Sequence, residues 1–362
     1  MTAVERDHAV IFDRYRGTLL GGAVGDALGW PIEFAKLDTI RDWHGPDGLT
    51  DFAPSPDDSQ PREITDDTQM TLFTAEALLR ARPGTDPVPA LHQAYLRWLI
   101  TQQEQGPGPR PDGWLAGLRF LYASRSPGSA CMRGLVRQRE KFVPPAPLGT
   151  PGPVNPDSKG CGTVMRSAPI GMMAAGPEAS FDLAARAAQL THGHLTAQVA
   201  AGAFAALIDR VITGAELRAA LAETMAQLAR VPGGAETTAA LGKAVAAAAQ
   251  GPATPEGVEA IGEGWTGEEC LAIAVYCALE AIRTEDPRRG LLLSVNHSGD
   301  SDSTGAVAGN LIGAVFGLRA LPLDMCAIVE GRDEILRVAD DLVAAFVYQD
   351  RAPLGDRYPF QD

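Results

Sequence analysis

The sequence predicts an all-α protein, a globular bundle of many helices. Three observations carry that expectation. No stretch alternates apolar and polar residues for long enough to build a sheet, alanine-rich segments repeat apolar residues at helical spacing, and two segments place glycine at every fourth position. No repeat of fixed length is visible, and 45% of the 362 residues are hydrophobic, ample for a substantial core. Composition does not shift along the chain as it would at a boundary, so one domain spanning 1–362 is expected, with its core at about 14–349.

Residues 11–29 read as a helix carrying Gly17, Gly21, Gly25 and Gly29. Each glycine costs about 1 kcal/mol against alanine inside a helix, a cost explained if this face admits a second backbone. Gly305, Gly309, Gly313 and Gly317 repeat the register, so the two smooth ridges are predicted to meet, which would bring Asp26 and Glu33 toward the later helix. Residues 36–63, broken by Pro46, Gly48, Pro54 and Pro61, read as a loop and a candidate flap over a site. Helices are expected at 66–81 and 89–102, the second with His92 and Trp98 in structural roles. A Gly/Pro loop at 106–113, short helices at 114–124 and 130–141, and a proline-rich segment at 144–156 follow. A further helix should begin near Cys161. Helices 179–190 and 195–212 flank Thr191-His192-Gly193-His194, and alanine-rich helices continue at 214–230, 235–250, 267–284 and 330–349. The apolar run 305–323 is interrupted by Asn310 and Arg319, and reads as a buried bundle helix, not a membrane span; no second candidate span is evident.

A net charge of -14 argues against a nucleic-acid-binding surface, which needs clustered lysine and arginine. The five cysteines are scattered without a Cys-x-x-Cys pair, Cys270 and Cys277 falling at core spacing on a helical pattern. The first residues lack the basic start and apolar run of a signal peptide. A reduced, cytoplasmic, monomeric protein is expected.

Chemistry concentrates in two stretches. Asn296-His297-Ser298-Gly299-Asp300-Ser301-Asp302-Ser303-Thr304 sets two carboxylates and two capping hydroxyls at a helix entrance, and Thr65-Asp66-Asp67-Thr68-Gln69 repeats the device before another helix. One such cluster caps helices in proteins that bind nothing; two in one chain point to a shared pocket. If they converge, each unscreened pair of like charges costs on the order of 4 kcal/mol at an effective dielectric near 20, and cations must offset that repulsion. Asp66, Asp67, Asp300 and Asp302, with Thr65 and Ser303, form an all-oxygen set suited to two Mg²⁺ or Mn²⁺ ions, which could hold substrate oxygens and an attacking water together. A calcium loop starting at Asp300 fails, because Leu311 stands where a bidentate glutamate is required. Gly160 and Gly162 permit close backbone approach to an anionic group such as a diphosphate, although the spacing is no Walker loop. His192 and His194 lack a third nitrogen or sulfur ligand for zinc, which leaves His192 a ligand contact or a cap.

Taken in order, Gly25-Asp-Ala-Leu-Gly with Glu33-Phe, Thr65-Asp-Asp-Thr-Gln-Met, Lys159-Gly-Cys-Gly-Thr-Val-Met-Arg, Thr191-His-Gly-His and Gly299-Asp-Ser-Asp-Ser-Thr-Gly resemble the ADP-ribosylglycohydrolase family over about residues 14–318. The resemblance implies a compact multi-helix orthogonal bundle with a binuclear Mg²⁺ or Mn²⁺ centre. It also implies hydrolysis of the α-glycosidic bond between ADP-ribose and an acceptor on a protein or small molecule. It implies metal ligation by Thr65, Asp66, Asp67, Asp300, Asp302 and Ser303, and catalytic roles for Glu33, Asp66, Asp67 and Asp302, with Glu33 as the family's flap glutamate. Gly160, Cys161, Gly162, Thr163, Met165 and His192 are implied as ADP-ribose contacts. The general base is left open among Asp66, Asp67 and Glu33. ADP-ribosyl-arginine is the favoured substrate, with ADP-ribosyl-serine, O-acetyl-ADP-ribose or another conjugate as alternatives, and a non-catalytic ADP-ribose binder as the reading of another class. The loop 101–113, where relatives place acceptor-recognising groups, departs from the pattern: neither Glu104 nor Asp112 aligns.

Overall fold

The computed structural model describes residues 3–54, 57 and 59–361. Its α-helices in chain order are α1 (Ala3–Gly29), α2 (Leu37–His44), α3 (Asp66–Arg80), α4 (Val88–Thr101), α5 (Ser129–Glu140), α6 (Ala168–Gly171), α7 (Pro177–Ala188) and α8 (Leu195–Ile212). They continue with α9 (Leu217–Leu228), α10 (Ala235–Ala248), α11 (Pro255–Ile261), α12 (Gly267–Thr284), α13 (Pro287–Val295), α14 (Ser301–Phe316), α15 (Leu323–Ile328) and α16 (Arg332–Leu342). Among the described residues no strand forms; two isolated bridges join Arg62 to Val329 and Gly160 to Thr266. The expected all-α fold is observed.

The pairing of α1 with α14 organises the rest. The helices run antiparallel with Gly25 against Gly305, Gly21 against Gly309 and Gly17 against Gly313, and a methyl group at any of these positions would overlap a carbonyl oxygen of the opposite helix. Asn310, which interrupts the apolar run, donates its amide to the Thr18 carbonyl across this seam at 2.7 Å. The glycine ridges thus meet as predicted, and the C-terminal end of α1 lies beside the N-terminal end of α14. α8 and α12 are buried almost throughout, as helices apolar on every face must be, and Phe73, Tyr95 and Trp98 from α3 and α4 complete the core.

Several boundaries differ from expectation. Residues 36–63 contain α2, a short helix whose buried residues are Leu37 and Ile40. None of the described residues of this segment lines the acidic cleft; residues 55, 56 and 58 lie outside the described set. The stretch 114–124 forms two 3₁₀ turns, Leu115–Gly117 and Arg119–Leu121, and the element at Cys161 is a single 3₁₀ turn, Cys161–Thr163. The helix expected over 330–349 is α-helical only to Leu342 and passes into a π turn, Val343–Val347. α14 stops at Gly317, whose φ of +76° breaks the helix. Among the described residues, the helix that is long and apolar enough by composition to cross a membrane is instead α8, 94% buried within the bundle.

Candidate active site

Two helix mouths meet in the structure. Thr65 caps α3, accepting from Asp67 N–H at 3.3 Å, and Asp300 caps α14, accepting from Ser303 N–H at 3.3 Å. The seam between α1 and α14 brings the mouths together: Ser303 Oγ lies 3.4 Å from Asp67 Oδ2 although 236 residues separate them. Carboxylate oxygens of Glu33, Asp300 and Asp302 can all lie within 4.8 Å of one another. Glu33 reaches this point because a 3₁₀ turn, Trp30–Ile32, prolongs α1 and turns the chain back over α14. The turn is completed by Phe34, held at φ +67°, whose N–H donates to the Gly299 carbonyl at 3.3 Å.

Asp26 sits one layer behind. Its carboxylate accepts from the N–H and hydroxyl groups of both Thr65 and Thr68 at 2.5–3.1 Å. It is therefore a second cap for α3 supplied from α1, and it takes up the Thr65 hydroxyl at 2.8 Å. Asp66 Oδ2 is tied to Gly128 N–H at 3.1 Å.

Burial and mutual repulsion dominate the electrostatics. Asp66, Asp67, Asp300 and Asp302 are each no more than 3% exposed. Burial, and after it the charge of Asp302, raises Asp67 and Asp300 well above the usual carboxylate range; burial likewise raises Asp66 against the pull of the Gly128 amide. The same two causes, burial first, push Glu33 up to about 8 and Asp26 to about 7. Nearby cations are engaged elsewhere: Arg125 pairs with Glu330 and Glu63, and Lys159 with Glu268 and Glu236. Buried Asp67 Oδ1 and Glu33 Oε2 have no hydrogen-bond partner. Orphaned oxygens in a crowd of carboxylates, with every ligand atom hard, fit divalent cations of the Mg²⁺ or Mn²⁺ type.

The acids open into a cleft of about 380 Å³. Ser303, Gly160, Cys161, Gly162, Met165 and His192 also line it, so most of the sequence-predicted residues share one wall system. Two do not. Thr65 lies behind Asp67, and Thr163 is buried with its hydroxyl donating to the Ala197 carbonyl at 3.1 Å. The single turn at Cys161 offers no full helix terminus to an anion, and its N–H is already bonded to the Trp265 carbonyl at 3.1 Å. His297 is structural, its Nε2 lying 2.8 Å from Thr304 Oγ1, and His194 caps α8. His92 and Trp98 are structural too, bonded to Gln138 and Gln69. Asp112 pairs with Arg80 and Arg97 away from the cleft.

Sequence reasoning missed three features of the cleft. The Cys161 thiol donates to Asp300 Oδ2 at 2.8 Å. Phe34 and Trp265 stack at the cleft mouth with ring centroids 5.1 Å apart. Residues 126–128 and the first turn of α5, 129–131, line the same cleft. The Gly-Trp-Thr stretch before α12 carries no motif that would mark Trp265; only its tertiary position does.

Comparison with known proteins bears on this geometry. Residues 7–352 match the family model described as ADP-ribosylglycohydrolase. The chain is 24% identical over 346 residues to an ADP-ribosyl-[dinitrogen reductase] glycohydrolase of Rhodospirillum rubrum, covering 92% of this chain and 97% of that one. It is also 24% identical over 347 residues to the ADP-ribosylarginine hydrolase Tri1 of Pseudomonas putida, covering 95% and 80%. A solved structure titled ADP-ribosylglycohydrolase-related protein complex superposes with a TM-score of 0.63 at 27% identity, covering 92% of this chain and 97% of that chain.

Proposed function

The chain belongs to the ADP-ribosylglycohydrolase family, and from that membership we propose that it cleaves the α-N-glycosidic bond of ADP-ribosylated arginine and releases ADP-ribose. Glycosidic-bond hydrolysis of ADP-ribosyl conjugates is what the family does; arginine as the acceptor is the finer reading. It draws support from the Gly299-Asp-Ser-Asp-Ser-Thr form of the late motif and from the relative named an arginine hydrolase. The observation that carries the proposal is the convergence of Asp66 and Asp67 with Asp300 and Asp302 in one cleft, closed from above by Glu33.

Two Mg²⁺ or Mn²⁺ ions, held among Asp66, Asp67, Asp300, Asp302 and Ser303 with Thr65 behind and Glu33 above, would supply charge neutralisation and Lewis acidity toward sugar hydroxyls and water. The chain's own groups do the remainder. Asp66, Asp67 and Glu33 all line the cleft and are the carboxylates from which the base that takes a proton from the attacking water is drawn; Asp66 already accepts from Gly128 N–H through one oxygen. As the acceptor nitrogen leaves, positive charge grows on the sugar, and the surrounding carboxylates oppose it. Phe34 and Trp265 form an apolar lip that limits water at the mouth.

A panel of defined ADP-ribosyl conjugates, scored for released ADP-ribose with Mg²⁺, with Mn²⁺ and in EDTA, tests both levels. Release from ADP-ribosyl-arginine that stops in chelator is expected. Turnover of only the serine or O-acetyl conjugate would overturn the acceptor, and full turnover in EDTA would overturn the metal requirement.

A further inference from the structure

Arg166 is buried beneath the cleft floor at 1% exposure, and among the described residues no carboxylate pairs with it. Its guanidinium lies 4.4 Å from the Tyr95 ring centroid and next to the sulfurs of Met70 and Cys131, and Nη2 donates to Thr191 Oγ1 at 2.7 Å. Thr191 Oγ1 in turn lies 2.7 Å from His192 Nδ1.

Proton positions follow from this chain. A guanidinium has donors only, so the threonine oxygen must accept from it. The threonine hydrogen then has three acceptors in reach, His192 Nδ1 at 2.7 Å, the Ala188 carbonyl at 3.4 Å and the Cys131 sulfur, a weak acceptor; the short contact to nitrogen prevails. An oxygen that receives a cationic donor also becomes a better donor itself. Nδ1 therefore accepts, and the one hydrogen of a neutral imidazole sits on Nε2. The ring is neutral because burial, and after it the Arg166 charge, pushes its pKa down to about 3. Nε2 faces Gly160 and Gly162: added Cβ atoms there would lie 3.3 and 3.4 Å from it. The two glycines keep that edge of the ring open to the cleft.

We propose that Arg166 and Thr191 are positioning residues that fix His192 in its Nε2–H form. The ring then serves the cleft as a neutral hydrogen-bond donor to an anionic oxygen of the substrate, of the class a diphosphate presents, and never as a proton acceptor. An unpaired buried guanidinium below the same floor adds a positive potential that favours such a ligand. The identity of the ligand rests on the ADP-ribosyl reading; the tautomer does not.

The test uses imidazole ¹⁵N–¹H correlation spectra of the full chain with Mg²⁺ near neutral pH, His192 being assigned by its loss in His192→Gln, together with calorimetry of ADP-ribose binding. The wild type should show the neutral Nε2–H form. Thr191→Val should lose the fixed form and weaken ADP-ribose binding by about tenfold, within the range for one hydrogen bond, and Thr191→Ser should keep both. A wild-type ring protonated on Nδ1 or cationic at neutral pH overturns the proposal, as does a Thr191→Val protein unchanged in tautomer and affinity. Should Thr191→Val not fold, the wild-type spectrum and the serine variant still decide. A wild type that does not bind ADP-ribose refutes the functional reading, while its spectrum judges the proton assignment separately.

Discussion

Asp302 shapes its neighbours more than any other side chain in the cleft. Its charge is among the causes that raise Asp26, Glu33, Asp66, Asp67 and Asp300, second to burial in four of the five. Removing that charge while keeping the shape should act in opposite directions on function and on the metal-free fold. Asp302→Asn is expected to lose more than about a hundredfold in turnover, beyond the usual cost of losing a partner outside the ligand shell. In EDTA at pH 8 the same variant should unfold at a higher temperature than wild type, gaining roughly 1 kcal/mol or more, the worth of about one pKa unit relieved among its neighbours. Paired activity assays and thermal melts check this, and an Asp302→Asn protein less stable than wild type in EDTA would contradict it. Asp302 and its partners were legible in the sequence because acid pairs at helix entrances are a local pattern. Asp26 was legible only as a neighbour of the site, since its role as a second cap for α3 exists only once α1 and α14 have docked. Thr163 was misplaced for the same kind of reason: a hydroxyl's partner, here the Ala197 carbonyl, is a tertiary fact.

At the scale of elements, the four-residue glycine register was the most informative signal, because it encodes a contact between segments nearly 300 residues apart. It makes a sharp prediction about substitutions that look alike. Gly309→Ala would press a methyl into the Gly21 carbonyl, backbone against backbone, so the helices must separate. A loss of about 1–3 kcal/mol is expected from overpacking, with a further loss of activity because the seam holds Asp302 and Glu33 in register. Gly242→Ala, in α10 with nothing within 4 Å of the added methyl, should instead stabilise by roughly 0.5–1 kcal/mol through helix propensity. Denaturant melts of the two variants check the contrast, and equal effects would show that the α1–α14 seam yields more easily than its geometry implies. Short helices were the least legible elements. α2, α11 and α15 bury two residues each over eight residues or fewer, too short a run to stand out from loop, and α13 is hidden by its opening proline and two arginines.

For the whole molecule the decisive quantity is how the net charge of -14 is distributed, for several of those charges are carboxyls folded into one cleft. Carboxyls whose pKa is higher in the folded than in the unfolded chain bind more protons when folded, so stability falls as pH rises between the two values. With Asp26 near 7 and Glu33 near 8, against ordinary values near 4, that fall continues up to about pH 8. Buried His192, His92 and His297 have lowered pKa values and act in the opposite sense, because the unfolded chain takes up their protons as pH drops below about 6.5. Above pH 6.5 their contribution is spent and the carboxyls are left to set the slope. Metal-stripped protein should therefore melt at a lower temperature at pH 8.5 than at pH 7. Each proton held by the folded chain and not by the unfolded one is worth up to about 1.4 kcal/mol per pH unit. On the proposed metal site, saturating Mg²⁺ or Mn²⁺ would bind the folded cleft and not the unfolded chain, so it should raise the midpoint at both pH values, and more at 8.5 where protons no longer neutralise the acids. Thermal melts in EDTA and in excess Mg²⁺ across this window measure the difference directly. A pH-independent midpoint in chelator, or a metal-induced shift no larger at pH 8.5 than at pH 7, would mean that the acids are not the cation-demanding cluster that their burial and orphaned oxygens require.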